Sequence, residues 1–514
     1  MVDLVGGWGS VRDEWEGSGS GNSLGSAHTI DSTLMSETPA PRLAATIEEV
    51  WEALQSRWPE TRLEPSLDRI RALLEILGDP QNAFRIIQLT GTNGKTSTSR
   101  MIDTLLRSLD LRVGRFTSPH VERINERISI DGEPLTDDEF VAAFNDVAHY
   151  LGMVDDDQPH PLSFFESMVG MAYAKFAEAP VDVAVVEVGL GGGWDATNVA
   201  NADVAVVTPI AVDHAKYLGD TPVAIAREKA GIIKPDAVAV IAEQSVEVAA
   251  VLDQHAAEVG ARLLWEGTDF GVVSRTPAVG GQILTLRGLR GEYEDLFLPL
   301  YGAHQAQNAA TALAAVEAFL GDTVLADELV RDAFAKVDSP ARLEIMRSSP
   351  TVLLDAAHNP AGAEATVAAL EDSFSFSGVV GVIGVMGDKD VEGLLAAFEP
   401  VLEHLVVTQN STERALPAVD LAKIAVDLYG EERVSVVPRL ADAIDAAIGL
   451  SESSGGGSIS EGAVLVTGSV VTAGEARTLL GSRGPAARSA ATARVVPTAD
   501  PELEAYLEAD ADDE

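Results

Sequence analysis

The stretch Thr90-Gly91-Thr92-Asn93-Gly94-Lys95-Thr96-Ser97 sets two glycines, a lysine and adjacent hydroxyls between a β-branched run, Arg85 to Leu89, and a segment of helical pattern, Thr98 to Leu106. Such a loop suits phosphate. Gly91 and Gly94 let the backbone approach phosphate oxygens without Cβ interference, the following helix opens with unpaired N–H donors, and Lys95 brings a full positive charge. A hydroxyl from Thr96 or Ser97 is placed to reach magnesium. Leu89 stands where the general G-x-x-x-x-G-K-[ST] pattern has its first glycine, so this is a shorter G-T-N-G-K variant. ATP is the nucleotide it implies.

Three further polar stretches each follow an apolar run: Thr117-Ser118-Pro119-His120, Glu187-Val188-Gly189-Leu190-Gly191-Gly192, and Val212-Asp213-His214. Singly, a carboxylate or histidine in such a place is more often a solvated or internally satisfied group than a ligand. Their common position carries more weight. Short β-branched runs at Arg85 to Leu89, Val183 to Val188, Val204 to Val207, Val238 to Ile241, Val352 to Leu354, Val379 to Val385, Leu405 to Val407 and Val464 to Val466 alternate with longer helical stretches, the rhythm of a parallel α/β fold. The unusual polar residues fall at the carboxyl ends of these expected strands, where open α/β sheets bind ligands.

The bulk composition frames this reading. A chain of 514 residues exceeds what one core usually organises, so two domains and a cleft are expected. The absence of cysteine excludes disulfides, zinc-thiolate centres and thiol nucleophiles, which fits a cytoplasmic protein. Lys+Arg 36 against Asp+Glu 80 leaves a formal charge of -44, which repels nucleic acid and anionic lipid and excludes both as natural partners. No signal peptide or membrane-spanning run is recognisable. Residues 1–43 read as a disordered leader and 484–514 as a disordered acidic tail. Ser451 to Gly457 reads as a surface loop, and Ser339-Pro340 as the boundary between a domain at 44–338 and another at 339–483.

Taken in order, G-T-N-G-K, T-S-P-H, F-F-E (Phe164 to Glu166), E-V-G-L-G-G...D-A-T-N (Glu187 to Asn198), D-H...L-G-D-T, E-K-A-G-I-I-K (Glu228 to Lys234), H-Q-A-Q-N-A-A (His304 to Ala310), A-R-L-E, D-A-A-H-N-P (Asp355 to Pro360), D-K-D (Asp388 to Asp390) and Gly468-Ser469 resemble the folylpolyglutamate synthase and dihydrofolate synthase family of the Mur ligase superfamily. The likeness spans Leu63 to Arg477. It implies an α/β protein with a P-loop-containing, Mur-ligase-like central domain built on a mainly parallel sheet, and a smaller C-terminal Rossmann-like α/β domain that binds glutamate.

The same resemblance implies the site. Gly91, Thr92, Asn93, Gly94, Lys95, Thr96, Ser97, Asn308, Arg342 and Asp355 would bind ATP; Ser118, Glu187 and His214 would hold one of two magnesium ions; Lys229 would carry a carbamate. Lys95, Lys229, His214 and Arg342 form the catalytic set. The pteridine substrate would lie among Ser66, Leu67, Asp68, Arg69, Ser163, Phe164, Phe165, Glu166, Trp194, Asp195 and Ala196, with His358 and Asn359 near the incoming glutamate. A monovalent cation is also admitted. The implied reaction is ATP-dependent addition of L-glutamate to dihydropteroate, to reduced folates, or to both, through an acyl phosphate, by a monomer. Polyglutamylation alone, or another Mur-type amide ligation, is the alternative. One departure stands out: the family usually has Arg where this chain has Gly193, which would weaken substrate or phosphate binding and is the only feature favouring an inactive relative.

Overall fold

The computed structural model describes residues 43–59, 65–454 and 462–481, so the expected leader and acidic tail lie outside the described residues apart from Leu43. The first sheet contains β1 (Arg85–Thr90), β2 (Val113–Phe116), β3 (Ile128–Ile130), β4 (Glu133–Pro134), β5 (Val183–Glu187), β6 (Val204–Val207), β7 (Val238–Ile241) and β8 (Arg262–Trp265). Their spatial order is β4-β3-β2-β5-β1-β6-β7-β8. From β2 to β8 all pairings are parallel, whereas β3 and β4 add an antiparallel edge.

Strand alternation sends Ile87, Leu89, Val183 and Val185 into one buried cluster and Ile86, Ala184 and Val186 into another. Both faces are therefore apolar and both are covered by helices, which is why these strands read as unbroken Val/Ala/Ile runs. Helix Lys95–Arg107 and the alanine-rich helix Ala303–Leu320 share the first cluster. Their packing brings Asn308 to the phosphate loop. Helices Asp68–Ile76, Asp137–Asp157 and Phe164–Glu178 cover the opposite face.

A three-stranded antiparallel sheet follows, formed by β9 (Gly271–Ala278), β10 (Gly281–Arg287) and β11 (Glu292–Leu298) in the order β11-β10-β9. The parallel-sheet rhythm did not reveal it. These strands bury only part of their residues and carry Arg, Glu and Thr on the outer positions, so they lack the continuous apolar signal of the others.

The third sheet contains β12 (Arg342–Ser348), β13 (Thr351–Asp355), β14 (Val379–Ile383), β15 (Leu402–Gln409), β16 (Val434–Arg439) and β17 (Ala463–Thr467), ordered β12-β13-β17-β14-β15-β16. Only the β12–β13 pair is antiparallel. The expected loop at Ser451 to Gly457 needs correction. Helix Leu440–Ser454 continues through its first residues and buries Ser451, while 455–461 lie outside the described residues. Among the described residues, no helix is long and apolar enough to cross a membrane.

Candidate active site

The phosphate loop leaves β1 through two backbone positions that exclude side chains. A Cβ on Gly91 (φ +138°) would sit 1.9 Å from Thr208 Oγ1, and one on Gly94 (φ +89°) would sit 2.6 Å from Asn308 Oδ1. The helix begins at Lys95, with Gly94 as its N-cap, three residues earlier than the sequence pattern indicated. Lys95 Nζ folds back onto the carbonyl oxygens of Gly91 and Thr92, at 2.8 and 3.1 Å. Lys229 Nζ, from helix Pro222–Lys229, donates to the same Gly91 oxygen at 2.9 Å. Burial, then the nearby Lys95 charge, pushes the Lys229 amine down to about 7. Burial also lowers Lys95, against the pull of Glu187 and Asp213.

Glu187 ends β5 next to the loop and is fully buried. Its oxygens accept hydroxyl hydrogens from Thr96 (2.9 Å), Ser99 (2.5 Å) and Thr117 (2.7 Å). Three hydroxyls hold the carboxylate, and among the described residues no cation is hydrogen-bonded to it. His214, in a left-handed backbone conformation at φ 51°, is pushed down to about 4 by burial, so its imidazole is neutral, with Nε2 3.4 Å from Lys389 Nζ. Ser118 and His214 line the cleft; Glu187 lies behind Thr96 rather than on its wall. Among the described residues no cluster of three or more Asp, Glu or His is arranged to hold a metal. The Ser118, Glu187 and His214 set nevertheless fits magnesium in donor type, with hard oxygens and one neutral imidazole whose remaining ligands would be water and phosphate.

Two adjoining cavities occupy the space between the first and third sheets. One is walled by the phosphate loop, Lys229, Asn308, Arg342, Asp355 and His304. Arg342 lies at the start of β12, flanked by Ala341 at φ 57° and Leu343 at φ 47°. Among the described residues its guanidinium has no hydrogen-bond or ion-pair partner, as a phosphate-binding arginine requires. Asp355 is committed elsewhere: it accepts from the backbone of Leu343 and Ala357 and from the Thr366 hydroxyl. Burial raises its pKa against the Arg342 charge and those bonds.

The other cavity is mainly apolar and is lined by Ser66, Arg69, Ser163, Phe165, Glu166, Trp194, Asp195, Ala196 and His358. Leu67, Asp68 and Phe164, expected beside the substrate, are not among the residues that line it. Leu67 caps helix Asp68–Ile76, Asp68 is exposed beside Arg71, and Phe164 is buried against Trp51. Glu166 closes a capping box with Ser163 and pairs with Arg69 at 3.1 Å. Asp195 turns inward to Leu190 N, Thr197 N and the Thr197 hydroxyl. Both carboxylates organise the wall rather than offering free acceptors.

Sequence reasoning left Asp213 and Lys389 without roles and placed Asn359 only near the glutamate, although all three sit in stretches quoted for the resemblance. Asp213 follows β6 in the first sheet, yet its carboxylate accepts from Lys389 (2.6 Å) and Asn359 (3.3 Å) of the third and lies 3.4 Å from His358 Nε2. Burial works to raise the Asp213 pKa, but His358, His214 and Lys389 outweigh it and hold the carboxyl well below the usual range. Asn93 and Asn359 exchange amide hydrogen bonds at 3.0 and 3.3 Å. Gln305 bonds Ser97 (3.3 Å) and receives Asn308 (3.1 Å). Pairing across the cleft distinguishes Asp213, Lys389 and Asn359 from ordinary surface polar groups.

Residues 89–316 match the Mur ligase middle domain and 341–470 the Mur ligase glutamate ligase domain. The chain is 48% identical over 482 residues to a Mycobacterium tuberculosis dihydrofolate synthase/folylpolyglutamate synthase, covering 90% of this chain and 99% of the relative. A Lacticaseibacillus casei folylpolyglutamate synthase is 38% identical over 68% of this chain and 82% of its own length. The crystal structure of M. tuberculosis folylpolyglutamate synthase complexed with ADP and AMPPCP superposes with a TM-score of 0.82 at 49% identity, covering 85% of this chain and 98% of that one. Escherichia coli FolC in complex with DHPP and ADP gives a TM-score of 0.74 at 29% identity over 86% and 99% of the two chains.

Proposed function

Because the chain belongs to the dihydrofolate synthase/folylpolyglutamate synthase family of Mur ligases, we propose the following division of labour in its cleft. The protein is an ATP-dependent ligase that adds L-glutamate to dihydropteroate and to reduced folates. One observation carries the assignment of roles: Ser118, Pro119, Gly189, Leu190, His214, His358 and Val470 line both cavities, so a flat ring system in one can present its carboxylate to a triphosphate in the other.

A carboxylate oxygen attacks the γ-phosphorus, the bond to the β-phosphate oxygen breaks, and ADP leaves. The glutamate amine then attacks the acyl carbon, and inorganic phosphate departs with a proton from nitrogen. This sequence replaces an oxide leaving group by a stabilised anion. Lys95 and Arg342 offset the charge that gathers on the transferred phosphoryl group. The phosphate-loop N–H groups hold the chain of phosphates in line, with Asn308 supporting the loop at Gly94. Phe165, under Gly189, and Trp194 supply faces for the ring, and His358 borders the glutamate.

Ser118, Glu187 and His214 would hold magnesium, which when bound neutralises phosphate charge and polarises the γ-phosphoryl group. Two ions are part of the proposal. So is a carbamate on Lys229, supported by an amine whose lowered pKa leaves it substantially neutral near pH 7 and therefore nucleophilic toward carbon dioxide. We also place the junction of the two domains, 44–338 and 339–483, at Ser339-Pro340. A monomer in the cytoplasm completes the reading, supported by a chain without cysteine.

The deciding assay supplies ATP, magnesium and glutamate with dihydropteroate in one arm and a reduced folate in the other, and follows phosphate release and the glutamylated product. Product in both arms is expected. ATP turnover without glutamate incorporation in either would overturn the reading.

A further inference from the structure

Arg477 lies on helix Val470–Gly481, beyond both cavities, and plays no part in the chemistry above. Its guanidinium reaches two carboxylates. Nε donates to both oxygens of Glu344 at 3.0 Å, and Nη1 donates to Glu122. Thr478 Oγ1 donates to the other oxygen of Glu122 at 3.1 Å. Each carboxylate leads to a different part of the phosphate site.

Glu344 lies two residues beyond Arg342 and its Oε2 accepts from Ala341 N at 2.9 Å. Ala341 and Leu343 both adopt positive φ without being glycine, a backbone that side chains rarely tolerate and that surrounding structure must enforce. Asp355 restrains Leu343 through its N–H at 3.1 Å, and Glu344 restrains Ala341. The strained pair is what turns Arg342 into the cleft. Arg477 fixes the carboxylate that fixes one half of it.

Glu122 belongs to the segment leaving β2, four residues after Ser118. That segment is tied at its start by Thr117 to Glu187 and internally by Glu126, which accepts from the N–H groups of Val121, Glu122 and Arg123. It also lies directly on the helix that bears Arg477: a Cβ on Gly474 would sit 1.8 Å from Val121 O, and Val121 packs with Ala341, Ala356 and Ala473. The loop from the first sheet and the strand from the third therefore meet on one side chain.

We propose that Arg477 is a positioning residue that aligns Arg342, through Glu344, with the Ser118 loop, through Glu122, and so assembles the phosphoryl-transfer site when the two sheets are apposed. This rests on the roles of Arg342 and Ser118 given above. A guanidinium is suited to the task because its planar fork can serve two carboxylates at once, which an ammonium does with less directional control.

The experiment compares Arg477→Met, Arg477→Lys, Glu122→Gln, Arg342→Met and the Arg477→Met/Arg342→Met double variant in the full chain, with steady-state kinetics, ADP affinity by calorimetry, and melting temperature. We expect Arg477→Met to lower kcat at least tenfold with the KM for the folate substrate within threefold of the parent, Arg477→Lys to recover part of the loss, and Glu122→Gln to reproduce much of it. The double variant should be no slower than Arg342→Met alone, because the arginine that Arg477 aligns is already gone. If Arg342→Met loses activity while Arg477→Met and Glu122→Gln keep kcat within twofold, the positioning role is wrong and the site stands. Near-parent activity in Arg342→Met would instead remove the site reading beneath it. Should Arg477→Met fail to fold, Glu122→Gln decides by the same kcat criterion.

Discussion

Lys95 and Lys229 direct their amines at one acceptor, the carbonyl oxygen of Gly91, from 2.8 and 2.9 Å. Two ammonium ions this close in a buried setting oppose each other; burial lowers both amines, and for Lys229, pushed down to about 7, the Lys95 charge is the next cause. Carbamylation would convert that repulsion into attraction, freeing Lys95 to be drawn between an anion and the phosphates. Lys95→Ala is expected to leave the melting temperature nearly unchanged and reduce kcat by about 10²- to 10³-fold or more, the scale for removing one donor to developing charge. Activity within fivefold of the parent would exclude Lys95 from phosphoryl transfer.

Lys229 titrates near 7 in the fold against 10.5 as an ordinary lysine, so between those values the unfolded chain binds more protons than the native one. Stability attributable to this residue therefore rises with pH across that window, and below it the buried ammonium imposes its full cost. Lys229→Met should melt higher than the parent at pH 6, with the gain shrinking by pH 9, while losing turnover. In the parent, enzyme stripped of carbon dioxide should regain activity on adding bicarbonate at pH 8 and regain little at pH 6, where the amine is protonated. Equal recovery at both values would count against the carbamate.

Lys389 and Asp213 are each 8% exposed at 2.6 Å and join the third sheet to the first. Removing one partner of such a pair leaves a buried charge, at a cost of about 3 kcal/mol. Lys389→Met should lower the melting temperature and speed proteolysis between the two sheets. A melting curve superimposable on that of the parent would mean that the pair does not hold the cleft closed in solution.

Gly193, where the family usually has arginine, admits a Cβ, since the nearest atom to it is Glu228 Oε1 at 3.3 Å, the end of a side chain. Gly193→Arg should fold normally, pair with Glu228, and lower the KM for the folate substrate severalfold with kcat little changed. An unchanged KM would show that the glycine costs this enzyme nothing.

The phosphate loop, the central parallel strands of both large sheets and the family resemblance were legible in the residue order, because a G-T-N-G-K turn after a β-branched run and strands buried on both faces leave continuous local signals; β2, β8 and β16 were not among the strands read from it. The antiparallel β9–β11 sheet was not, since half-exposed strands carry mixed residues. Nor could local pattern separate Phe165, which lines the cavity, from its neighbour Phe164, which is core. Asp213, Lys389, Asn359 and Arg477 find their cross-cleft partners more than a hundred residues away, although Asp213 also meets its neighbour His214 and Asn359 caps its own helix at Gly362. Chain order thus determined the chemistry available to this protein. Which polar groups face the cleft, and which are spent holding its walls, was decided by the apposition of two sheets, because hydrogen bonding between distant residues has no periodicity that a sequence can display.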